Sequence, residues 1–129
     1  SFTCFSWRHI CLWQGDFFSL QPGQFDDIGL VYDRAALIAL PDDMRQQYAQ
    51  HLCKLVAPGA QIILISLEYP QAEKQGPPFS VGEQELQSLF PQADIQLLAE
   101  QDLTGKGFAR RRFATSYLSE KAYLIKLPA

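Results

Sequence analysis

Two apolar runs in this chain each stop at an aspartate: Trp13-Gln14-Gly15-Asp16 closes the first and Val31-Tyr32-Asp33 the second, with Arg34 directly after it. A polar residue where a buried parallel strand runs out faces the crevice beyond the strand's carboxyl end, where open α/β sheets hold their ligands. There a carboxylate accepts a hydrogen bond from an amine, and a guanidinium brings a permanent positive charge. Two successive strands ending in this way point to a small-molecule site. The competing reading is local, since an Asp side chain also caps turns and helices by itself. Other chemistry is thinly represented. His9 and His51 stand alone, without the three or four ligands that a metal needs, and read as structural. Ser66 lies in Ile65-Ser66-Leu67-Glu68-Tyr69 without the glycines of a nucleophile elbow, which argues against a hydrolase. Cys4, Cys11 and Cys53 have neither an even number nor metal-ligand spacing, so they read as reduced thiols in a cytoplasmic protein.

The whole chain sets bounds on its partners. At 129 residues, 47% hydrophobic and 19% charged, it is expected to be a single globular domain over residues 1–129. A net charge of −3 and a pI near 5.2 argue against a nucleic-acid partner, which asks for a basic surface. The longest apolar run, Ile62 to Leu67, is interrupted by Ser66 and is far short of the ~20 residues a bilayer requires. No membrane partner is expected. The chain opens on Ser1 inside a strand-like pattern, with no charged segment before an apolar core, so its start reads as a cut and not as a secretion signal.

The elements that must position these residues follow in order. Phe2 to Trp7 is aromatic and alternating, and His9 to Gln14 reads as a strand, with Gly15 loosening the backbone where it leaves the sheet. Ser19 to Asp27 holds Pro22 and Gly23 and reads as a loop, and Ile28 to Tyr32 as a second strand. Arg34 to Leu40 is too short for periodicity to separate a helical turn from a loop. Pro41, Asp42 and Asp43 suit a helix start, and Met44, Tyr48, Leu52 and Leu55 recur on one face of that helix, which Pro58-Gly59 ends. Ala60 to Tyr69 is apolar on both faces and reads as a central parallel strand between helical layers, stopped by Pro70. Ser80 to Glu83 has the spacing of a capping box, and Leu86, Leu89 and Phe90 fall in the helix it would start. Ala93 to Gln101 and Leu118 to Leu127 read as a closing antiparallel hairpin, which makes the fold class α/β with an antiparallel finish.

Four stretches, LWQGDFF, VYDRAALIALP, MRQQYAQHL and GPPFSV, together resemble the bacterial branch of the thiopurine S-methyltransferase family, in the same order and with similar spacing, over about Trp7 to Leu127. The resemblance implies a Rossmann-like class I methyltransferase sheet of seven strands in the order 3-2-1-4-5-7-6, with the last strand antiparallel. This chain would supply its C-terminal portion, strands 3 to 7. The family's first strand, its glycine-rich turn and the acidic residue closing its second strand have no counterpart here. Strand 3 would then lose its neighbours, and unpaired edges of buried strands are costly. A longer parent chain, direct pairing of strands 3 and 4, or a second copy in the gap would each relieve that, and we favour the first.

Carried over residue by residue, the resemblance implies that Asp16 and Phe17 flank the adenine of S-adenosylmethionine, as acceptor and aromatic wall. It implies that Arg34 lies at the cleft between cofactor and substrate, where its charge suits a developing thiolate. Asp33 would orient Arg34 or cap the next turn. The family also has an arginine near Arg110, Arg111 and Arg112, but the local pattern departs from it. The implied activity is methyl transfer from S-adenosylmethionine to a thiopurine or another aromatic or heterocyclic thiol, by an intact chain expected to be monomeric. The alternative is a noncatalytic, truncated module that assembles with a partner or another copy.

Overall fold

The computed structural model describes residues 2–106 and 114–129. Its main sheet has four strands, β3 (Leu30–Arg34), β4 (Gln61–Glu68), β5 (Asp94–Asp102) and β6 (Ser119–Lys126), in the order β3-β4-β6-β5. β3 and β4 run parallel, while β6 is antiparallel to both of its neighbours, with a bulge where β5 passes Leu97 to Ala99. This is the expected order of strands 4, 5, 7 and 6.

Two helices cover one face. α1 (Asp42–Leu55) begins after Pro41, carries Asp42 and Asp43 in its first turn, and buries Tyr48, Ala49 and Leu52. α2 (Glu83–Leu89) buries Leu86 and Leu89. Between them and the sheet lie Leu37, Ile62, Leu64, Val81, Tyr123 and Ile125, all at most 1% exposed. Each such aliphatic side chain contributes roughly 1.5–3 kcal/mol by leaving water, so this layer is the main source of stability.

Three expectations are corrected. β4 is central, but only one of its faces is buried: Ile62, Leu64 and Ser66 are covered, whereas Ile63, Ile65 and Leu67 are half-buried. Both helices sit on the Ile62 side, and Leu30 and Tyr32 of β3 stand exposed on the other. The strand expected over His9 to Gln14 is β2 (Ile10–Gln14), and it is not part of the main sheet. It pairs antiparallel with β1 (Thr3–Trp7) across a two-residue turn in which Arg8 has φ 56°, and every residue of both strands is exposed. A strand whose sheet neighbours are absent satisfies its backbone groups with the nearest available segment, here the one before it. It does not pair with β3.

Last, Ser80 caps nothing. Its Oγ accepts from the Tyr69 amide at 3.0 Å, and α2 starts instead from Gly82 without a side-chain cap. The loop around it needs Ser80 more: Ser80 N–H donates to Gln71 Oε1, the Tyr69 hydroxyl donates to the Pro78 carbonyl at 2.6 Å, and Phe79 N–H donates to the Ile38 carbonyl at 2.7 Å. Those bonds lay the Gly76–Ser80 loop against the turn that follows β3.

Candidate functional site

β3 runs on through Asp33, so this aspartate lies inside the strand and not beyond it, with its carboxylate on the α1 side and 3% exposed. One oxygen accepts the Tyr48 hydroxyl at 2.6 Å and the other accepts the backbone N–H groups of Ala36 and Leu37, each at 3.3 Å. Asp33 therefore caps the next turn, as its position in the sequence allows, and makes no ion pair with Arg34. Between them Ala35 sits at φ 67°, a left-handed conformation that costs a non-glycine residue roughly 1 kcal/mol, so the turn is held by its bonds and not by local preference. A 3-10 turn over Leu37–Ala39 follows, resolving the open choice between helical turn and loop. Burial raises the Tyr48 phenol well above its ordinary value, and the Asp33 charge and hydrogen bond raise it further.

Arg34 is exposed at the end of β3, and its side chain has no hydrogen bond or ion pair among the described residues. It lines a hollow of about 160 Å³ with Ala35, Ile38, Ile65, Pro78 and Glu120. That hollow opens at the carboxyl ends of the parallel strands and is bordered by the Gly76–Ser80 loop. Neither Asp33 nor Asp27 pairs with Arg34, so its charge is available there.

Asp16 is exposed and caps the 3-10 turn Phe17–Ser19, its carboxylate accepting from the Phe18 amide at 3.0 Å. Phe17 is half-buried against α1: its ring centroid is 5.0 Å from Tyr48 and 5.3 Å from His51. The two candidate halves thus meet through Tyr48, whose ring backs Phe17 and whose hydroxyl holds Asp33. Asp16 and Arg34 are not in direct contact with each other.

Sequence reasoning placed Tyr48 on the buried face of a helix and gave it no further part. The available signal was a tyrosine on a buried helical face beside a strand ending in Asp, since each needs a partner once out of water. His51 packs on Phe17 and Phe18, in keeping with a structural part, yet its buried Nε2 has no hydrogen-bond partner among the described residues. His9 lies in the exposed turn between β1 and β2. Ser66 is fully buried and donates to the Val81 carbonyl at 2.6 Å, a bond that ties β4 to the start of α2. Arg110, Arg111 and Arg112 lie outside the described residues. Among the described residues no three His, Cys, Asp or Glu side chains gather as a metal site.

A larger hollow of about 520 Å³, lined by Cys53, Val56, Pro58, Leu89, Phe90 and Leu127, opens at the other end of the sheet, where β4 and β5 begin. It holds none of the candidate residues.

Known proteins resemble this chain in sequence and in fold. A thiopurine S-methyltransferase from Photobacterium profundum is 40% identical over 125 residues, covering 97% of this chain and 57% of that protein. The chain thus spans little more than half the length of the curated relative. Among solved structures, a SAM-dependent methyltransferase from Methanosarcina mazei matches with a TM-score of 0.60 at 14% identity, covering 88% of this chain and 65% of that one. The N-methyltransferase NodS from Bradyrhizobium japonicum, solved with S-adenosyl-l-homocysteine, matches with a TM-score of 0.52 at 14% identity, covering 89% of this chain and 53% of that one. Both share the Rossmann-like methyltransferase fold. The thiopurine S-methyltransferase family matches residues 1–127, and the chain belongs to that family.

Proposed function

We propose that the full gene product is an S-adenosylmethionine-dependent S-methyltransferase that methylates a thiopurine or another aromatic or heterocyclic thiol in one in-line displacement. The observation that carries this reading is the meeting of the Asp16–Phe17 turn and the Asp33–Arg34 strand end through Tyr48, in a chain of this family. The cofactor supplies an electrophilic methyl group. Phe17 offers its adenine a wall and Asp16 an acceptor for the exocyclic amine, while Arg34 draws the acceptor sulfur into the cleft as a thiolate. Thiols of this class are partly ionised near neutral pH, so positioning and desolvation carry the rate and no dedicated base is required. The three cysteines are all unpaired, which supports a reducing, cytoplasmic setting. Among the described residues no helix is long and apolar enough to cross a membrane.

The test is methyl transfer to 6-mercaptopurine by the full gene product, with the S-methyl product identified by mass. A hydrogen bond to a charged group is worth about 1.5–3 kcal/mol. Arg34→Ala is therefore expected to lower kcat/KM roughly 10- to 150-fold. An unchanged rate constant removes Arg34 from the cleft, and no product from the unsubstituted protein removes the function.

A second reading is favoured by the exposed β1–β2 hairpin, where Phe5, Trp7, Ile10 and Leu12 are each more than half exposed. On that reading these 129 residues are a noncatalytic module that assembles with a partner or another copy. Calorimetry with S-adenosylmethionine and size exclusion separate the two. No binding at millimolar ligand with self-association supports the module, and micromolar binding by a monomer contradicts it.

A further inference from the structure

Tyr48 touches both candidate halves. Its ring is tilted by 36° against Phe17 at 5.0 Å, and its hydroxyl donates to Asp33 at 2.6 Å. The other Asp33 oxygen holds the amides of Ala36 and Leu37, the residues that follow the left-handed Ala35. The backbone that carries Arg34 is therefore pinned on its C-terminal side by a carboxylate whose own orientation depends on a helix side chain. An Asp33 carboxylate without that hydroxyl is free to rotate about its side-chain bonds, and the two 3.3 Å bonds are too long to fix it alone.

We propose that Tyr48 is a positioning residue for methyl transfer: its hydroxyl sets the turn that presents Arg34 to the acceptor thiol, and its ring sets the Phe17 wall on the donor side. The proposal rests on the methyltransferase reading above. It assigns separate tasks to the two parts of one side chain, and two substitutions divide them. Tyr48→Phe keeps the ring and removes the hydroxyl, whereas Tyr48→Leu removes both.

The experiment uses the full gene product with three readouts: KM and kcat with 6-mercaptopurine, the Kd of S-adenosylhomocysteine by calorimetry, and exchange of the Ala36 and Leu37 amide protons by NMR. Tyr48→Phe is expected to raise KM for the thiol about tenfold, a loss of about 1.4 kcal/mol. It is also expected to speed exchange at Ala36 and Leu37 at least tenfold, and to leave the Kd within about twofold. Tyr48→Leu is expected to weaken the Kd about tenfold as well. Equal losses on the thiol and cofactor sides in Tyr48→Phe, as general destabilisation gives, overturn the proposal. So does unchanged exchange at the two amides. If the unsubstituted protein neither binds S-adenosylhomocysteine nor transfers methyl, the methyltransferase reading fails on its own account, and the proposal for the reaction falls with it. The amide exchange then still decides whether Tyr48 holds the turn.

Discussion

The Tyr48–Asp33 bond is expected to be a coupled pair, and a double-mutant cycle measures it. Tyr48→Phe takes one donor from a carboxylate that is 3% exposed, at 2.6 Å, so the loss belongs in the upper part of the 1.5–3 kcal/mol range for bonds to charged groups, about 2–3 kcal/mol. Asp33→Ala removes the same bond and strands the Tyr48 hydroxyl and the Leu37 amide, both in buried residues, at about 1–3 kcal/mol for the hydroxyl and less for the amide, whose bond is already long at 3.3 Å. Ala36 is exposed and finds water. Relief of the buried carboxylate offsets part of this, leaving a net cost of about 2–3 kcal/mol. In the double variant the shared bond is lost only once, so the two costs fall short of adding by about 1.5–2 kcal/mol. Urea unfolding at pH 7, followed by far-UV circular dichroism at constant slope, reads each corner, and with a slope of about 2 kcal/mol/M each single variant moves the midpoint by roughly 1 M. Additivity within about 0.5 kcal/mol refutes the coupling and the positioning role built on it.

Three further outcomes follow from the same structure. Arg45→Ala is expected to cost about 2–3 kcal/mol in a urea melt, because Arg45 is 6% exposed, donates to Glu85 at 2.6 Å and to the Leu40 carbonyl at 2.7 Å, and lies over the Phe79 ring; the 29% exposure of Glu85 keeps the loss below that of a fully buried pair. Gly76→Ala is expected to cost about 1–3 kcal/mol by the same measure, since Gly76 has φ 90° and an added Cβ meets the Phe79 ring at 2.8 Å. Burial, followed by carboxylate neighbours, raises the phenols of both Tyr48 and Tyr123 above their ordinary 10.0. The unfolded chain then loses those protons before the folded one does, so stability is intact below about pH 10 and falls as pH climbs above it; urea midpoints across that range, with a shallower fall in Tyr48→Phe, check the sign.

How much was legible beforehand depended on whether a segment's partners lie within this chain. β4 declares itself by its apolar run and α1 by the spacing of Tyr48 and Leu52, and the order β3-β4-β6-β5 followed from the resemblance, because every one of those strands has its neighbour here. β2 failed the same reasoning. Its pattern suits a sheet strand, but the strands beside which it would lie are not in these residues, and a hairpin with β1 satisfies its backbone instead. The Ser80 to Glu83 capping spacing failed because Tyr69 N–H, at the end of β4, competed for the same hydroxyl. At the site, Asp33 and Arg34 were visible as polar residues closing an apolar run. The bond from Tyr48 was not, since a helix pattern reports which face is buried and says nothing of which strand residue lies opposite.

Chemical-shift mapping on the full gene product tests most directly whether ligands bind at the carboxyl ends of β3 and β4. S-adenosylhomocysteine is predicted to perturb Phe17, Phe18 and His51, and a thiopurine to perturb Arg34 and Ala35, with Tyr48 responding to both. Perturbations gathered instead around Cys53, Leu89 and Leu127, at the opposite end of the sheet, would contradict the account.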